Sequence, residues 1–95
     1  MSSEAATQPI KTVAQELGQR IRKARNEKGL TIQTLADMVG IEYTQMSRIE
    51  LGKINTSVLQ VCRISRAPDI CMADLLKDLE LNVSQKQIED YRSEM

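Results

Sequence analysis

The chain contains no histidine, phenylalanine or tryptophan, and its only aromatic residues are two tyrosines. A core without large aromatic rings has to be built from leucine, isoleucine, valine, methionine and alanine, which form helices or are tolerated in them. The absence of histidine also removes the commonest metal ligand. Two cysteines, Cys62 and Cys71, do not make a disulfide framework, and we expect them to be reduced core or interface residues.

Signals of export and catalysis are also missing. No apolar run approaches the roughly 20 residues of a membrane span, and the N-terminal MSSEAATQPIK lacks the basic and apolar regions of a secretory signal. There is no phosphate-binding loop, no metal-ligand set and no pair of carboxylates in a cleft-like setting. The sequence therefore predicts a cytoplasmic protein that is not an enzyme and has no cofactor or metal.

Charge is unevenly spread along the chain, although the formal net charge is zero. Residues 11–66 carry ten Lys and Arg against five Asp and Glu, whereas residues 67–95 carry three against seven. A basic body with an acidic tail fits this pattern, and so does a solvated surface of mixed charge. Charge alone therefore does not identify the partner.

Hydrophobic spacing predicts an all-α fold. Apolar residues recur at intervals of three and four, as on one face of a helix, and glycines, prolines and cap residues divide the pattern. The predicted helices span about residues 9–28, 32 to 38 or 39, 43–51, 58–66 and 72–79. Pro9 suits the first turn, and Gly18 is a weak point inside the first helix. A further helix could begin at Ser84, three residues before Gln87 in a capping-box pattern.

The interior is expected to come from one face of each helix. Met38, Met46 and Met72 are expected in the core. The inward positions of the fourth predicted helix are Val58, Val61, Cys62, Ile64 and either Ser65 or Ala67. Those of the fifth are Leu75, Leu76 and Leu79.

Two short helices in the middle of the chain are predicted to form a helix-turn-helix unit. Ala36 is small where the helices cross, and Gly40 allows the turn to adopt a positive φ. Ile41 fills the space beneath the turn, and Met46 and Ile49 hold the second helix against the core. Each requirement is met at the spacing that the unit needs.

With these residues the chain resembles the lambda-repressor/Cro-like helix-turn-helix family, also called the xenobiotic-response-element type. The matching segments are LGQRIRKARNEKGLT, LADMVGIEYTQMSRIELGK, VLQVCRISRA and ADLL, within residues 17–76. The resemblance implies a compact five-helix DNA-binding domain that inserts its third helix into the major groove of double-stranded DNA, usually as a dimer. It also implies an ion pair between Arg25 and Glu50. The inward position of Glu50 agrees, because an unpaired buried carboxylate is costly.

The chain departs from the family pattern at two positions. The family commonly has glutamine at the first position of the second helix, where it touches the DNA backbone, and this chain has Ile32. The contact is expected to shift to Gln33 or to the Thr31 hydroxyl. Near the end of the fourth helix this chain has Pro68, where the family often has leucine. The fourth helix is therefore expected to end early, which would alter a dimer surface built from the fourth and fifth helices.

The outward face and the leading end of the third helix are predicted to read bases. Arg48 can donate a bidentate pair to guanine, Gln45 can pair with adenine, and the Thr44 methyl can touch a thymine methyl. The predicted base-reading residues are Tyr43, Thr44, Gln45, Ser47 and Arg48. The predicted phosphate contacts are Thr31, Gln33, Lys53 and Asn55. Thr31 and Asn55 fit the role of helix caps nearly as well.

The sequence thus predicts a sequence-specific transcription regulator that binds a palindromic operator as a homodimer. The alternative is an antitoxin or adaptor module that binds a protein partner, with or without DNA, through its C-terminal tail. The expected organisation is a flexible arm at residues 1–9, the helix-turn-helix domain at 10–80, and an acidic tail at 81–95 that could be helical and dimerise. The expected dimer surfaces are Met72, Leu76 and Leu79, or Val83, Ile88 and Tyr91.

Overall fold

The computed structural model describes residues 11–84 and residue 88. Within these residues the fold is all-helical, with five α-helices and one 3₁₀ helix and no strand. The elements are α1 (Val13–Glu27), α2 (Ile32–Val39), α3 (Tyr43–Glu50), α4 (Val58–Arg66), α5 (Met72–Leu76) and the 3₁₀ helix (Leu79–Asn82). The predicted all-α class and five-helix architecture are confirmed. No described helix has both the length and the apolar character that crossing a membrane requires.

The first helix begins later than its apolar pattern predicted. Thr12 has an extended backbone, and its hydroxyl accepts a 3.1 Å hydrogen bond from the Gln15 N–H. The Gln15 side chain in turn accepts from the Thr12 N–H at 3.0 Å. This capping box satisfies N–H groups that a helix start leaves open. The predicted start at Pro9 is therefore wrong, because extended Thr12 interrupts such a helix; Pro9 itself lies outside the described residues.

The turn between α2 and α3 has the predicted geometry. Gly40 is left-handed, with φ 84° and ψ 31°. The N–H groups of Gly40 and Ile41 both donate to the Ala36 carbonyl, at 2.8 and 3.0 Å. Ala36 has no exposed surface, which lets the two helices cross closely. The turn thus satisfies its own backbone groups and sets the angle of α3.

The core lies between the five α-helices, where α3 packs against α1 and α2 and α4 packs against α2 and α5, and it is almost wholly aliphatic. Each fully buried side chain of this kind contributes about 1.5–3 kcal/mol through the hydrophobic effect. Met46 is buried as expected, whereas Met38 is exposed and Met72 is half-buried, so the expectation that all three lie in the core is wrong. The buried core residues are Leu17, Ile21, Leu35, Ala36, Met46, Ile49, Val61, Ile64 and Leu75.

Two positions that were expected to face inward on α4 are exposed. Val58 lies in the first turn, where nothing described covers it, and is 73% exposed. Cys62 is one position away from the inward stripe of Val61, Ile64 and Ser65, and its thiol is free. Its Sγ lies 3.5 Å from Met72 Sδ. The other thiol, Cys71, is also free and exposed, so neither cysteine is a core residue.

The fifth helix is shorter than predicted. It ends at Leu76, and Asp78 then takes a left-handed conformation with φ 52°. The end is captured by Arg20, whose Nη1 donates to the carbonyls of Leu75 and Lys77 at 3.2 and 2.6 Å. These carbonyls would otherwise lack partners at the helix end. Leu76, expected to face inward, is exposed.

Arg20 is itself held by the buried Glu16. Arg20 Nε lies 2.9 Å and Lys11 Nζ lies 3.2 Å from the Glu16 carboxylate. Burial acts to raise the pKa of Glu16, but the hydrogen bonds and charges of Arg20 and Lys11 outweigh it and hold that pKa below its ordinary value. Glu16 therefore connects the start of α1, through Arg20, to the end of α5.

The two ends of the described chain meet. The Ser84 N–H donates to the Lys11 carbonyl at 2.7 Å, and the Ile88 N–H lies 3.3 Å from the Ser84 carbonyl. The predicted arm at residues 1–9, the Gln87 half of the predicted capping box, and Tyr91 lie outside the described residues.

Candidate nucleic-acid interface

Helix α3 has one buried face and one open face. Met46, Ile49 and Glu50 are buried. On the other side Thr44, Gln45 and Arg48 are exposed, Ser47 is half-buried, and Tyr43 is 49% exposed. The structure thus brings all five predicted base-reading residues onto one surface or its leading edge. None of their side chains forms a hydrogen bond or ion pair within the described part of the chain.

The inner side of α3 is fastened to α1 by charge. Arg25 Nε lies 2.7 Å from Glu50 Oε2, and Arg25 Nη2 lies 3.0 Å from Glu50 Oε1. Arg25 Nη1 also donates to the Leu30 carbonyl at 2.8 Å. Both side chains are buried, so this bidentate pair is shielded from water and its orientation is set. The pair implied by the family resemblance is therefore present, and it holds the last turn of α3.

Backbone contact brings α3 close to α1 at Gly18. A Cβ on Gly18 would lie 2.8 Å from the carbonyl carbon of Glu50 and closer still to the carbonyl oxygens of Ile49 and Glu50. The glycine is thus required for the close approach and is not simply a weak point in α1. Gly52, with φ 71°, also packs closely: a Cβ added at this position would lie 2.7 Å from the backbone nitrogen of Gln15. The end of α3 is therefore seated directly on α1.

Two predicted phosphate contacts lie at the start of α2 and already have local partners. The Thr31 hydroxyl accepts from the Thr34 N–H at 3.0 Å and donates to the Thr34 hydroxyl at 2.9 Å. Gln33 Nε2 donates to Asp37 Oδ1 at 2.8 Å. Thr31 thus caps the helix, while Gln33 keeps a second amide hydrogen for an external acceptor.

The other two predicted phosphate contacts lie in the loop after α3. Lys53 and Asn55 are exposed. The Lys53 N–H donates to the Arg48 carbonyl at 2.9 Å, which places the lysine directly beyond the end of α3. Asn55 does not cap α4, because Ser57 does so by accepting from the Gln60 N–H at 3.0 Å. The Asn55 side chain is therefore available to an external group.

The base-reading set predicted from the sequence leaves out two exposed residues at the ends of α3. Glu42 is the N-cap residue, but its side chain accepts no capping hydrogen bond. Leu51, the C-cap residue, is 52% exposed. The sequence itself marks position 42 as unusual, because glutamate is not among the residues preferred at an N-cap.

Comparison with known proteins agrees with this geometry. The helix-turn-helix family HTH_3 matches residues 21–75. Control protein C.MunI of Mycoplasma sp is 33% identical over 64 residues, which is 66% of this chain and 86% of that protein. An uncharacterized transcriptional regulator in the ATPase CF(0) region of Rhodospirillum rubrum is 30% identical over 77 residues, or 81% of this chain and 71% of that protein.

A solved structure shares the arrangement of helices. The restriction-modification controller protein C.AhdI from Aeromonas hydrophila has a TM-score of 0.64 at 32% identity, over 66% of this chain and 96% of that chain. The family match covers more than half of the chain and includes α2, the turn and α3. The chain therefore belongs to the Cro/C1-type helix-turn-helix family of DNA-binding transcription regulators.

Proposed function

We propose that this regulator binds a palindromic operator as a homodimer, with α3 of each protomer in the major groove. The observation that carries the proposal is the contrast between the two sides of α3. Its inner side is fixed by Met46, Ile49 and the Arg25–Glu50 pair, whereas its outer polar side chains have no described partner. A rigid helix with uncommitted polar groups suits base reading, because little further ordering is needed on binding.

The outer residues differ in the base edges that they can recognise. Arg48 can donate two hydrogen bonds to guanine O6 and N7, and Gln45 matches the N6 and N7 pattern of adenine. The Thr44 methyl can contact the methyl of thymine. Tyr43 and Ser47 complete the surface at its leading end and on its flank. We assign sequence recognition to these five side chains.

Phosphate contacts are assigned to the two ends of the motif. Lys53 and Asn55 follow α3, and Gln33 lies in the first turn of α2 with the Thr31 hydroxyl beside it. Contacts of this kind set the position of the protein on the duplex without selecting a sequence. They flank α3 along the chain, at the start of α2 and in the loop after α3.

The dimer is proposed to form through the exposed apolar start of α4. Val58 and Leu59 are 73% and 62% exposed, and they follow closely after the loop that holds Lys53 and Asn55. A shared surface next to that loop would bring the two α3 helices to the same side of the duplex. Neighbouring exposed aliphatic side chains also favour burial against a partner.

An unbiased selection of duplexes from a random pool tests the proposal most directly. We expect an enriched inverted repeat, with half-sites separated by about one helical turn, roughly 10 base pairs. Affinity for the enriched duplex should fall steeply with salt, with a log–log slope of about −0.9 for each phosphate neutralised. The absence of salt-sensitive binding to any duplex would refute the proposal, and enrichment of a single half-site would refute the dimeric form.

A further inference from the structure

The side chain of Glu42 lies at the leading end of α3 and forms no hydrogen bond or ion pair with the described residues. Its backbone is extended, with φ −77° and ψ 153°, as expected of an N-cap residue. Its carboxylate nevertheless accepts no capping hydrogen bond. It is exposed and has no ion pair or hydrogen bond within residues 11–84 and 88. The charge is therefore free for an external partner.

An unpaired carboxylate is unfavourable at this position if α3 enters DNA. Glu42 directly precedes Tyr43 and Thr44, at the end of a recognition helix that meets base edges. Duplex DNA carries one negative charge for about every 1.7 Å of its axis, so the groove edges repel the carboxylate. A hydrogen bond from a base offsets this repulsion, because hydrogen bonds to an ionised acceptor are stronger than neutral ones.

We propose that Glu42 is a specificity-determining residue that accepts a hydrogen bond from the N4 amino group of cytosine in each half-site. This inference rests on the proposed function, since it requires α3 to lie in the major groove. An ionised carboxylate only accepts hydrogen bonds. The major groove offers two amino donors, cytosine N4 and adenine N6. The N7 acceptor beside adenine N6 repels a carboxylate, so cytosine is selected.

Replacement of Glu42 by glutamine gives a directional test. Glutamine has nearly the same shape, but its amide both donates and accepts, which suits the N6 and N7 pair of adenine. In a random-pool selection the wild type should enrich cytosine at one half-site position by roughly tenfold. Glu42→Gln should change that position to adenine, and Glu42→Ala should abolish the preference there. Other positions of the half-site should keep their bases.

Glu27→Gln is the matched control, because it removes one carboxylate from an exposed position at the end of α1. It should leave the enriched sequence unchanged. All three variants should retain the helical circular dichroism and melting temperature of the wild type, since neither side chain has a described partner.

Two results would overturn the inference in distinguishable ways. If Glu42→Gln and Glu42→Ala raise affinity equally for every duplex and leave the selected sequence unchanged, Glu42 only repels phosphate and reads no base. If the wild type itself enriches no sequence, the proposed function fails together with this inference. A wild-type preference for cytosine that moves to adenine only in Glu42→Gln supports both.

Discussion

Arg25 and Glu50 form a buried two-point ion pair that joins α1 to the last turn of α3. The same guanidinium donates to the Leu30 carbonyl, in the segment that leads into α2. One side chain therefore connects α1, the entry to α2 and the end of α3. The orientation of α3 thus depends on a contact on the side opposite its exposed polar residues.

Removal of one partner of this pair should destabilise the domain strongly. Arg25→Ala leaves the Glu50 carboxylate buried without compensation, and we expect the free energy of unfolding to fall by about 3–5 kcal/mol. Urea denaturation followed by circular dichroism measures the change. The double variant Arg25→Met with Glu50→Leu should recover most of the loss, because no unpaired charge stays buried. A loss below about 1 kcal/mol in the single variant would be typical of a solvated surface pair instead.

Gly18→Ala should destabilise the protein although alanine is the better helix former. At an exposed helical site this change would stabilise by about 0.5–1 kcal/mol. Here the new Cβ would meet the backbone of Ile49 and Glu50, so we expect a loss of at least about 1–3 kcal/mol. Thermal unfolding should show a lower midpoint. Gln19→Ala, at the exposed neighbouring position, is the control and should change the midpoint little. A stabilising Gly18→Ala would contradict the close contact of α1 with α3.

Glu16 should make the free energy of unfolding of the domain decrease at acidic pH. Because the folded-state pKa of Glu16 is lowered, its charge stabilises the fold above the ordinary value of 4.5. The contribution is lost as the pH falls through the lower, folded-state pKa. The unfolding free energies of wild type and Glu16→Gln should therefore differ at pH 7 and converge as the pH falls below 4.5. Urea denaturation of both proteins at several pH values measures this difference. A constant difference between wild type and Glu16→Gln would contradict the lowered pKa.

Arg48→Ala and Lys53→Ala should weaken DNA binding in different ways. Loss of Arg48 should cost about 1–3 kcal/mol on the selected operator and relax the base preference at one position. Loss of Lys53 should weaken binding to all sequences alike and reduce the magnitude of the salt slope by about 1. Fluorescence anisotropy at several salt concentrations, on operator and scrambled duplexes, separates the two effects. Equal loss on both duplexes for Arg48→Ala would remove it from the base-reading set.

Leu59→Glu should favour the monomer, because it places a charge in the proposed apolar contact at the start of α4. Analytical ultracentrifugation should show a lower mass than wild type at equal concentration, and operator binding should weaken in parallel. Leu81→Glu, at another exposed leucine, serves as the comparison and should leave the dimer intact. If Leu81→Glu lowers the mass and Leu59→Glu does not, the interface lies on the C-terminal segment, one of the two surfaces that the sequence pattern predicted.

Local sequence was sufficient to predict those parts of the fold that depend on neighbouring residues. Ala36 and Gly40 identify the turn, and Thr31 marks the start of α2, because each satisfies its backbone partners within a few positions. The end of α5 could not be predicted in this way. Its carbonyls are captured by Arg20, which lies 55 residues from Leu75 in the chain. The role of Gly18 likewise depends on α3, a distant segment that periodicity within α1 does not reveal.

The candidate interface was predictable to a similar extent. Helical periodicity separates Met46, Ile49 and Glu50 from the outward residues, since 100° per residue applies to any regular helix. Periodicity does not show that the Glu42 carboxylate lacks a capping bond, because that depends on the direction of one side chain. Nor does it show that Val58 is uncovered, because this depends on where the neighbouring helices end.

The hydrogen bond between the Ser84 N–H and the Lys11 carbonyl means that the described chain closes on itself. A circularly permuted protein could therefore join these two positions with a short linker and open instead at the exposed turn of Lys28 and Gly29. The order of α2, turn and α3 would be preserved. A reporter fused at either position would therefore leave the domain from nearly the same point. A donor and an acceptor fluorophore attached at these two positions would be close together in the folded protein, and global unfolding would lower the energy transfer between them.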